Sequence, residues 1–250
     1  MSIALRTEGL CKQWGSFRAS NDISLTLQAG TRHAIIGPNG AGKTTLVNLL
    51  TGSFAPSAGE IWLGDTRITQ ASPAQRVKMG LVRTHQISSL FASLTVLESV
   101  LMAILERNGK SMSWFHPLDR YSAEIDEARQ LLEVLRLADE ADVETRILPY
   151  GKQRLLEIAL ALAVKPRILL LDEPAAGIPA AESAELFDVL ARLPREVTIL
   201  FIEHDMELVF RFAERITVMV AGELLAEGTP AEIAANPLIH SVYLGEGAHG

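Results

Sequence analysis

Residues 37–45 have the types and the spacing of a phosphate grip. Gly37, Pro38, Asn39, Gly40, Ala41, Gly42, Lys43, Thr44 and Thr45 contain the pattern G-x-x-x-x-G-K-[ST]. Glycines in such a loop let backbone N–H groups turn inward around phosphate oxygens. The helix that follows adds unpaired donors and a partial positive charge. Lys43 would reach the β and γ phosphates of a nucleoside triphosphate, and the Thr44 hydroxyl would ligate Mg2+. A glycine loop at a helix start with no ligand is the plain alternative. Against it stands the order of strand, loop and helix. Residues 33–36 are an apolar run before the loop, and Leu46, Val47, Leu49 and Leu50 mark one face of a helix over 43–50 that Gly52 stops.

A second set of polar residues follows two later apolar runs. Residues 168–171 lead into Asp172 and Glu173, and residues 197–202 lead into Glu203, His204 and Asp205. Unbroken apolar runs suit parallel strands covered on both faces. Open α/β sheets bind ligands at the C-terminal ends of such strands. There Asp172 suits Mg2+, through water, and Glu173 suits a water in line with a γ-phosphate. Two acids capping the next turn are the alternative, which loses ground beside a phosphate loop. His204 falls at the same sheet edge, where its ring can donate to a γ-phosphate, although a lone histidine is more often structural. The Gln86 amide can ligate Mg2+ or orient water; taken alone, a polar loop residue of this kind is usually solvated.

The frame that must position these groups is legible in outline. Ile23, Leu25 and Leu27 alternate with Ser24, Thr26 and Gln28, the period of a half-buried strand, so the N-terminal part reads as β. Thr95 and Glu98 form a capping box for a helix through about Leu105. Beyond a polar and aromatic connector, Ile125, Ala128, Leu132 and Leu135 mark an amphipathic helix. Gly151 precedes another, with Leu155, Ile158 and Leu162 inward, ended by Pro166. Residues 88–165 therefore read as an α-helical insertion, and 1–87 with 166–250 as an α/β lobe. A helix over 181–190 lies between the two apolar runs and makes a βαβ unit. Residues 216–220 and 223–226 flank Ala221-Gly222 as a hairpin. Thr229-Pro230-Ala231-Glu232 is a capping box with proline at the first helical position.

Composition narrows the class. A chain of 250 residues makes one large domain or two lobes of one, with a core that needs no disulfide or structural metal. Cys11 is the single cysteine, which excludes an intrachain disulfide and the disulfide-rich secreted class. Asp and Glu outnumber Lys and Arg by 30 to 23, a net charge of −7, and phosphate neutralisation along a nucleic acid needs a basic face. Hydrophobic residues at 48% and charged ones at 21% exclude a mainly disordered chain. The first ten residues lack a basic start and apolar run, so no signal peptide is expected, and no apolar stretch reaches the length of a membrane span. The expectation is a cytosolic or membrane-peripheral protein.

In chain order, residues 37–45, Gln86, Leu148-Pro149-Tyr150-Gly151-Lys152-Gln153, Leu170-Leu171-Asp172-Glu173-Pro174 and His204 together resemble the ATPase subunit of an ABC transporter. The resemblance covers nearly the whole chain. It implies an α/β P-loop NTPase fold with a RecA-like parallel-sheet core, an N-terminal antiparallel β region and an α-helical subdomain. It implies residues 37–45 as the Walker A loop, Gln86 as the Q-loop glutamine and Asp172 as the Walker B carboxylate. Glu173 becomes the catalytic glutamate and His204 the switch histidine, with Mg2+ on Thr44, Gln86 and Asp172. Tyr150, Gly151, Lys152 and Gln153 belong to the signature motif, which acts on the ATP of an opposite subunit. Trp14 sits where the family places an aromatic that stacks on adenine; as a bare residue it suits a core equally.

Pro174-Ala175-Ala176-Gly177, Glu203-His204-Asp205-Met206, Tyr243-Leu244-Gly245-Glu246 and the connector 108–121 are similar to the importer branch for branched-chain and other hydrophobic amino acids. Urea and amide importers have similar ATPases. The partners so implied are two transmembrane permease subunits, a second ATPase subunit (identical or paralogous) and, indirectly, an extracytoplasmic substrate-binding protein, with no nucleic acid. The implied place is the cytoplasmic face of the cell membrane. One phosphate loop and one signature motif cannot complete a site in a single copy, so ATP-dependent pairing is expected. Ile87, Leu90, Phe91 and Leu94 are candidates for an exposed groove toward a permease, or else they fill the lobe's core.

Two positions depart from the family. Its signature motif usually has serine where this chain has Pro149, and glycine where it has Tyr150. Proline offers neither hydroxyl nor N–H, which puts any γ-phosphate contact through position 149 in doubt. Ile178-Pro179 stands where many relatives carry aspartate or asparagine after the hydrophobic residue. Rival readings are a soluble ABC-type ATPase driving a protein or nucleic-acid machine, a small-molecule kinase, and a non-hydrolysing nucleotide sensor. The absence of a tandem cassette and the acidic charge disfavour the first; the kinase leaves residues 148–153 and His204 unexplained.

Overall fold

The computed structural model describes residues 2–84, 92–110 and 121–239. Gln86, Ile87, Leu90, Phe91, most of the 108–121 connector and the Tyr243-Leu244-Gly245-Glu246 segment lie outside the described residues. In chain order the elements begin with strands β1 (Ile3–Trp14), β2 (Phe17–Ile23), β3 (Thr26–Gln28) and β4 (Arg32–Ile36), then helix α1 (Lys43–Thr51). Strands β5 (Ala58–Leu63) and β6 (Thr66–Arg67), helix α2 (Pro73–Lys78) and strand β7 (Leu81–Arg83) follow. Next come helices α3 (Val96–Arg107), α4 (Ser122–Val134) and α5 (Tyr150–Ala163). The chain continues through β8 (Ile168–Asp172), α6 (Ala180–Ala191), β9 (Thr198–Ile202), α7 (Met206–Phe212), β10 (Arg215–Val220), β11 (Glu223–Gly228) and α8 (Pro230–Ala234). Two compact units result: the described residues of 1–82, 167–174 and 194–250, and those of 83–166 with 175–193.

The first unit holds two sheets. One has the order β11-β10-β4-β9-β8-β7, with β10, β4, β9 and β8 mutually parallel. Residues 168–171 of β8 and all of β9 are buried, as their unbroken apolar runs required. The hairpin β10–β11 turns through Ala221 (φ 48°) and Gly222 (φ 83°), the positive-φ pair that a two-residue hairpin loop needs. The other sheet is antiparallel, β2-β1-β5-β6, with β3 also on β1. The alternation at 23–28 holds, with Ile23, Leu25 and Leu27 fully buried, but it spans two strands instead of one. The buried Thr7 hydroxyl causes the break. It donates to Ile23 O (2.8 Å) and accepts from Leu25 N (2.9 Å), taking bonds that a continuous ladder would give to main chain.

Helix α1 packs between these sheets. Leu46, Val47, Leu49 and Leu50 share one core cluster with Ile35, Leu200 and Ile202 of the parallel sheet and Leu10, Leu27 and Ile61 of the antiparallel one. Each fully buried leucine or isoleucine contributes about 2 kcal/mol. Helix α2 is opened by Ser72, whose side chain accepts from Gln75 N while Gln75 reaches back to Ser72 N.

The second unit is helical. Thr95 and Glu98 form the expected capping box of α3. In α4, Ala128 and Leu132 are buried but Ile125 only partly; Glu124 is buried in its place, because Asn108 and Lys110 both donate to its carboxylate. Helix α5 starts at Tyr150, not after Gly151, with Pro149 as its N-cap. Helix α6, which the chain forms between the paired strands β8 and β9, belongs to this unit. Among the described residues no helix is long and apolar enough to cross a membrane.

Charge closes the helical unit at one end. Arg107 at the end of α3 grips Glu127 of α4 through two nitrogens (2.9 and 2.7 Å) and donates to Ala163 O at the end of α5 (2.6 Å). Lys165 adds a contact to Glu127 at 3.0 Å. The Arg107 hydrogen bonds, with Lys165 behind them, outweigh desolvation and hold the Glu127 carboxyl at about 2. The folded value lies below the ordinary 4.5, so this stability is complete above pH 4.5 and is lost as pH falls toward 2. We expect Glu127→Gln to cost about 1 kcal/mol at pH 7, the scale of a bidentate, partly buried pair. In thermal melts, the gap between variant and parent should close by about pH 2; a gap independent of pH would mean the network contributes nothing.

Candidate functional site

The polar groups singled out in the sequence converge at one edge of the parallel sheet. Asp172 pairs with Ile202, Ile202 with Ile35, and Ile35 with Thr217, so one row runs across β8, β9, β4 and β10. All four strands point the same way. The residues just beyond that row are therefore Glu173 after β8, Glu203 and His204 after β9, and the 37–42 loop after β4.

The loop is built around a buried cation. Lys43 is only 6% exposed, and its ammonium donates to Gly37 O (2.6 Å) and Pro38 O (3.0 Å). Gly222 N donates to Ala41 O (3.0 Å), tying the loop to the β10–β11 turn. Helix α1 then starts with no side-chain cap and no acidic residue in its first turn. Its first amides have no intrahelical acceptor, so this end is suited to an anion. Thr44 and Asn39 are exposed, and Thr45 and Pro38 are partly so.

Glu173 stands in a left-handed conformation (φ 49°), unusual for a residue with a side chain and costing about 1 kcal/mol or more. Its N–H donates to Ile202 O (3.0 Å), which anchors the turn to β9. His204 Nε2 lies 2.6 Å from Glu173 Oε1. An ionised carboxylate only accepts, so this contact places the imidazole proton on Nε2. Glu203, missed in the sequence as a working residue, is buried and accepts from His204 N (3.2 Å), fixing the histidine's backbone. A charged residue closing a wholly apolar run was the available signal.

The residues present fit a triphosphate with Mg2+. The buried Lys43 ammonium and the uncapped α1 amides are donors, while the Thr44 hydroxyl and Asp172 carboxylate are hard oxygens of the kind Mg2+ takes beside substrate phosphates. Gln86 is not among the described residues. Trp14 is 43% exposed, which sets aside its reading as a core residue. Phe54 meets it edge-to-face at 5.4 Å, and the Lys12 ammonium lies 5.2 Å from its ring centroid. A half-exposed indole held in this way can stack a flat base.

In the helical unit, the signature residues are engaged with their own surroundings. The Tyr150 hydroxyl donates to Ala176 O (3.3 Å) and accepts from Arg154 Nη2 (3.1 Å). Gly151 is buried, and a Cβ there would meet Glu182 Oε2 at 2.2 Å. The Lys152 ammonium donates to Arg136 O (2.8 Å) and pairs with Glu140 at 3.4 Å. The Gln153 amide turns back to Leu148 O (2.8 Å). Arg154 and Glu157 form a buried pair behind Tyr150 (2.9 Å), two charges that helical spacing from Leu155 and Ile158 could have placed inside.

Similarity to known proteins extends over nearly the whole chain. The family model described as "ABC transporter" matches residues 20–176. The high-affinity branched-chain amino acid transport ATP-binding protein LivG of Escherichia coli (strain K12) is 40% identical over 251 residues, spanning 97% of this chain and 98% of its own length. The corresponding protein BraF of Pseudomonas aeruginosa is 40% identical over 250 residues, with the same coverage of both chains. Among solved structures, a nucleotide-free ATP-binding cassette from an ABC transporter is similar with a TM-score of 0.83 and 31% identity, covering 97% of this chain and 99% of that one. An ADP conformation of such a cassette gives a TM-score of 0.85 at 30% identity, covering 98% of this chain and 100% of that one.

The loop's shape is imposed by its neighbours at Gly42. There φ is +96°, and a Cβ would sit 2.5 Å from Ala19 O; at Gly40 φ is +80° and nothing lies within 4 Å. We expect Gly42→Ala to destabilise by at least about 3 kcal/mol and Gly40→Ala by about 1 kcal/mol. Urea melts of the two variants decide it: equal losses would mean that the loop is not held from outside.

Proposed function

The chain belongs to the ABC transporter family, and from that premise we propose that it is the ATP-hydrolysing subunit of an importer for branched-chain or other hydrophobic amino acids. The observation that carries the hydrolytic part is the single row of strand ends that brings the Lys43 loop, Asp172, Glu173 and His204 to one sheet edge. The transport part is supported by likeness over nearly the full length to LivG and BraF, whose names specify branched-chain amino acid transport.

Phosphoryl transfer to water needs positioning and charge neutralisation more than covalent help. Lys43, the loop amides and the α1 N-terminus offset phosphate charge. Thr44 and Asp172, with Gln86, would hold Mg2+, which supplies further neutralisation when bound. Glu173 orients the attacking water, and His204 holds the Glu173 carboxylate through the 2.6 Å contact. Trp14 stacks the adenine, and Gly37, Pro38, Asn39, Gly40, Ala41, Gly42 and Thr45 shape the cradle.

On this reading Tyr150, Gly151, Lys152 and Gln153 act on the ATP of a second ATPase subunit. Lys152 and Gln153 keep the end of α5 in place, since both are bonded within their own unit, and the α5 main-chain donors meet the phosphate. The pair closes on ATP and opens after hydrolysis. Two membrane permease subunits convert that motion into alternating access at the cytoplasmic face of the membrane, where this chain is peripheral and an extracytoplasmic binding protein delivers the solute.

We expect Glu173→Gln to keep MgATP binding and to slow hydrolysis at least about tenfold, or about 1.4 kcal/mol on the barrier. Near-normal steady-state hydrolysis by that variant would remove Glu173 from its role. Lys43→Ala should weaken MgATP binding in calorimetry. For the transport part, the complex with its permeases in proteoliposomes should take up leucine, isoleucine or valine with ATP; brisk ATP hydrolysis without such uptake would keep the ATPase and discard the substrate class.

A further inference from the structure

Among the described residues, Arg76 on α2 is the largest side chain to be fully buried, at 1% exposure. Its guanidinium Nη1 donates to Leu49 O and Leu50 O (both 2.6 Å), Nε donates to Ala71 O (3.0 Å), and Nη2 donates to Thr69 O (2.9 Å). All four acceptors are main-chain oxygens, so the charge is solvated by carbonyls and not by a carboxylate. Burial pulls the guanidinium below its ordinary value. Leu49 and Leu50 lie in the last turn of α1, whose final carbonyls carry the negative end of the helix dipole; Leu49 O also accepts from the Gly52 N–H that closes the helix (3.2 Å). Helix α1 has no basic residue of its own in that turn. Gly52 ends the helix in the left-handed region, and a Cβ there would lie 2.9 Å from Arg76 Nε. The guanidinium is thus fitted against the stop of the helix as well as its carbonyls.

The opposite end of α1 carries Lys43 and the open amides. A nine-residue helix is about 13.5 Å long, short and stiff enough that an axial shift at one end appears at the other. We propose that Arg76 is a positioning residue for the nucleotide: it locks the C-terminus of α1 and so presets Lys43 and the 37–45 loop for a triphosphate. This rests on the reading of 37–45 as the triphosphate site. A merely space-filling side chain would do better without a charge, because burying one costs several kcal/mol that only complete hydrogen bonding offsets.

Arg76→Gln and Arg76→Lys test it, titrated calorimetrically with MgATP on samples whose near-ultraviolet circular dichroism matches the parent. Glutamine loses the charge and most of the fork, while lysine keeps the charge and can still reach the α1 carbonyls. We expect MgATP affinity to fall about tenfold in Arg76→Gln and to recover to within about threefold of the parent in Arg76→Lys. Unchanged affinity of folded Arg76→Gln, with only a lowered melting temperature, overturns the proposal. If Arg76→Gln does not fold, amide exchange of the parent decides: MgATP should slow exchange at residues 49–54 and 69–76, and protection confined to 37–47 overturns it. A parent that does not bind MgATP would overturn both this proposal and the reading of the triphosphate site, whereas a parent that binds beside an equally tight Arg76→Gln refutes the proposal alone.

Discussion

The Lys43 ammonium is buried and is bonded to the loop that it serves. Its contacts to Gly37 O and Pro38 O hold the loop in a curl, and the curl aims the amides of α1 outward instead of into a cap. A buried ammonium without such carbonyls would cost several kcal/mol, so loop and lysine depend on each other. Everything else at the sheet edge inherits this constraint. Helix α1 must sit in the core between two sheets for its N-terminus to point at the row of strand ends, and its four buried aliphatic residues secure that seat. The order β4, β9, β8 then sets a carboxylate turn and a histidine turn beside the loop with no further device.

The edge also stores local strain where chemistry is expected. Among the described residues Glu173 is one of few non-glycine residues at positive φ, and its conformation is held by the Glu173 N–H to Ile202 O bond and by the His204 contact. Releasing the turn to ordinary geometry would swing the carboxylate away from the histidine. The two residues come from neighbouring strands, so the register of β8 on β9 fixes their distance.

Much of this was legible in the sequence, for physical reasons that differ by element. The phosphate loop, the apolar runs before Asp172 and His204, and the Thr95 and Thr229 capping boxes carry their own local chemistry, and each appears where its residues placed it. Residues 23–28 read as one strand in the sequence because alternation reports which face is buried, not which ladder bonds are made; Thr7, sixteen residues away from Ile23, decides that. The sequence starts α5 two residues late, after Gly151, because a glycine looks like a boundary, while its lack of a Cβ serves the close approach of Glu182. Arg76 gave no signal at all. In a six-residue helix an arginine beside Gln75 and Val77 reads as solvated, and only the fold reveals the carbonyls that surround it.

An open helix end is not by itself a site in this molecule. Helices α2, α3, α7 and α8 are capped by Ser72, Thr95, Asp205 and Thr229, whereas α1, α4, α5 and α6 have no side-chain cap. What separates α1 from the others is a cation beside its amides and a loop bent to leave them accessible. Helix α5 has a weaker claim, since its own lysine, Lys152, is spent on Arg136 O and Glu140. With Pro149 as N-cap, it also lacks the hydroxyl that a serine there would offer, a contact worth about 1.5–3 kcal/mol toward a charged group. The same proline has no side-chain oxygen that could fold back onto the α5 amides and compete for them; its carbonyl takes the Gln153 N–H (3.0 Å). On the proposed pairing, the phosphate of a second subunit would therefore meet main-chain donors already set by Tyr150 and Gln153, and its hold would depend on backbone geometry more than on any side chain at position 149.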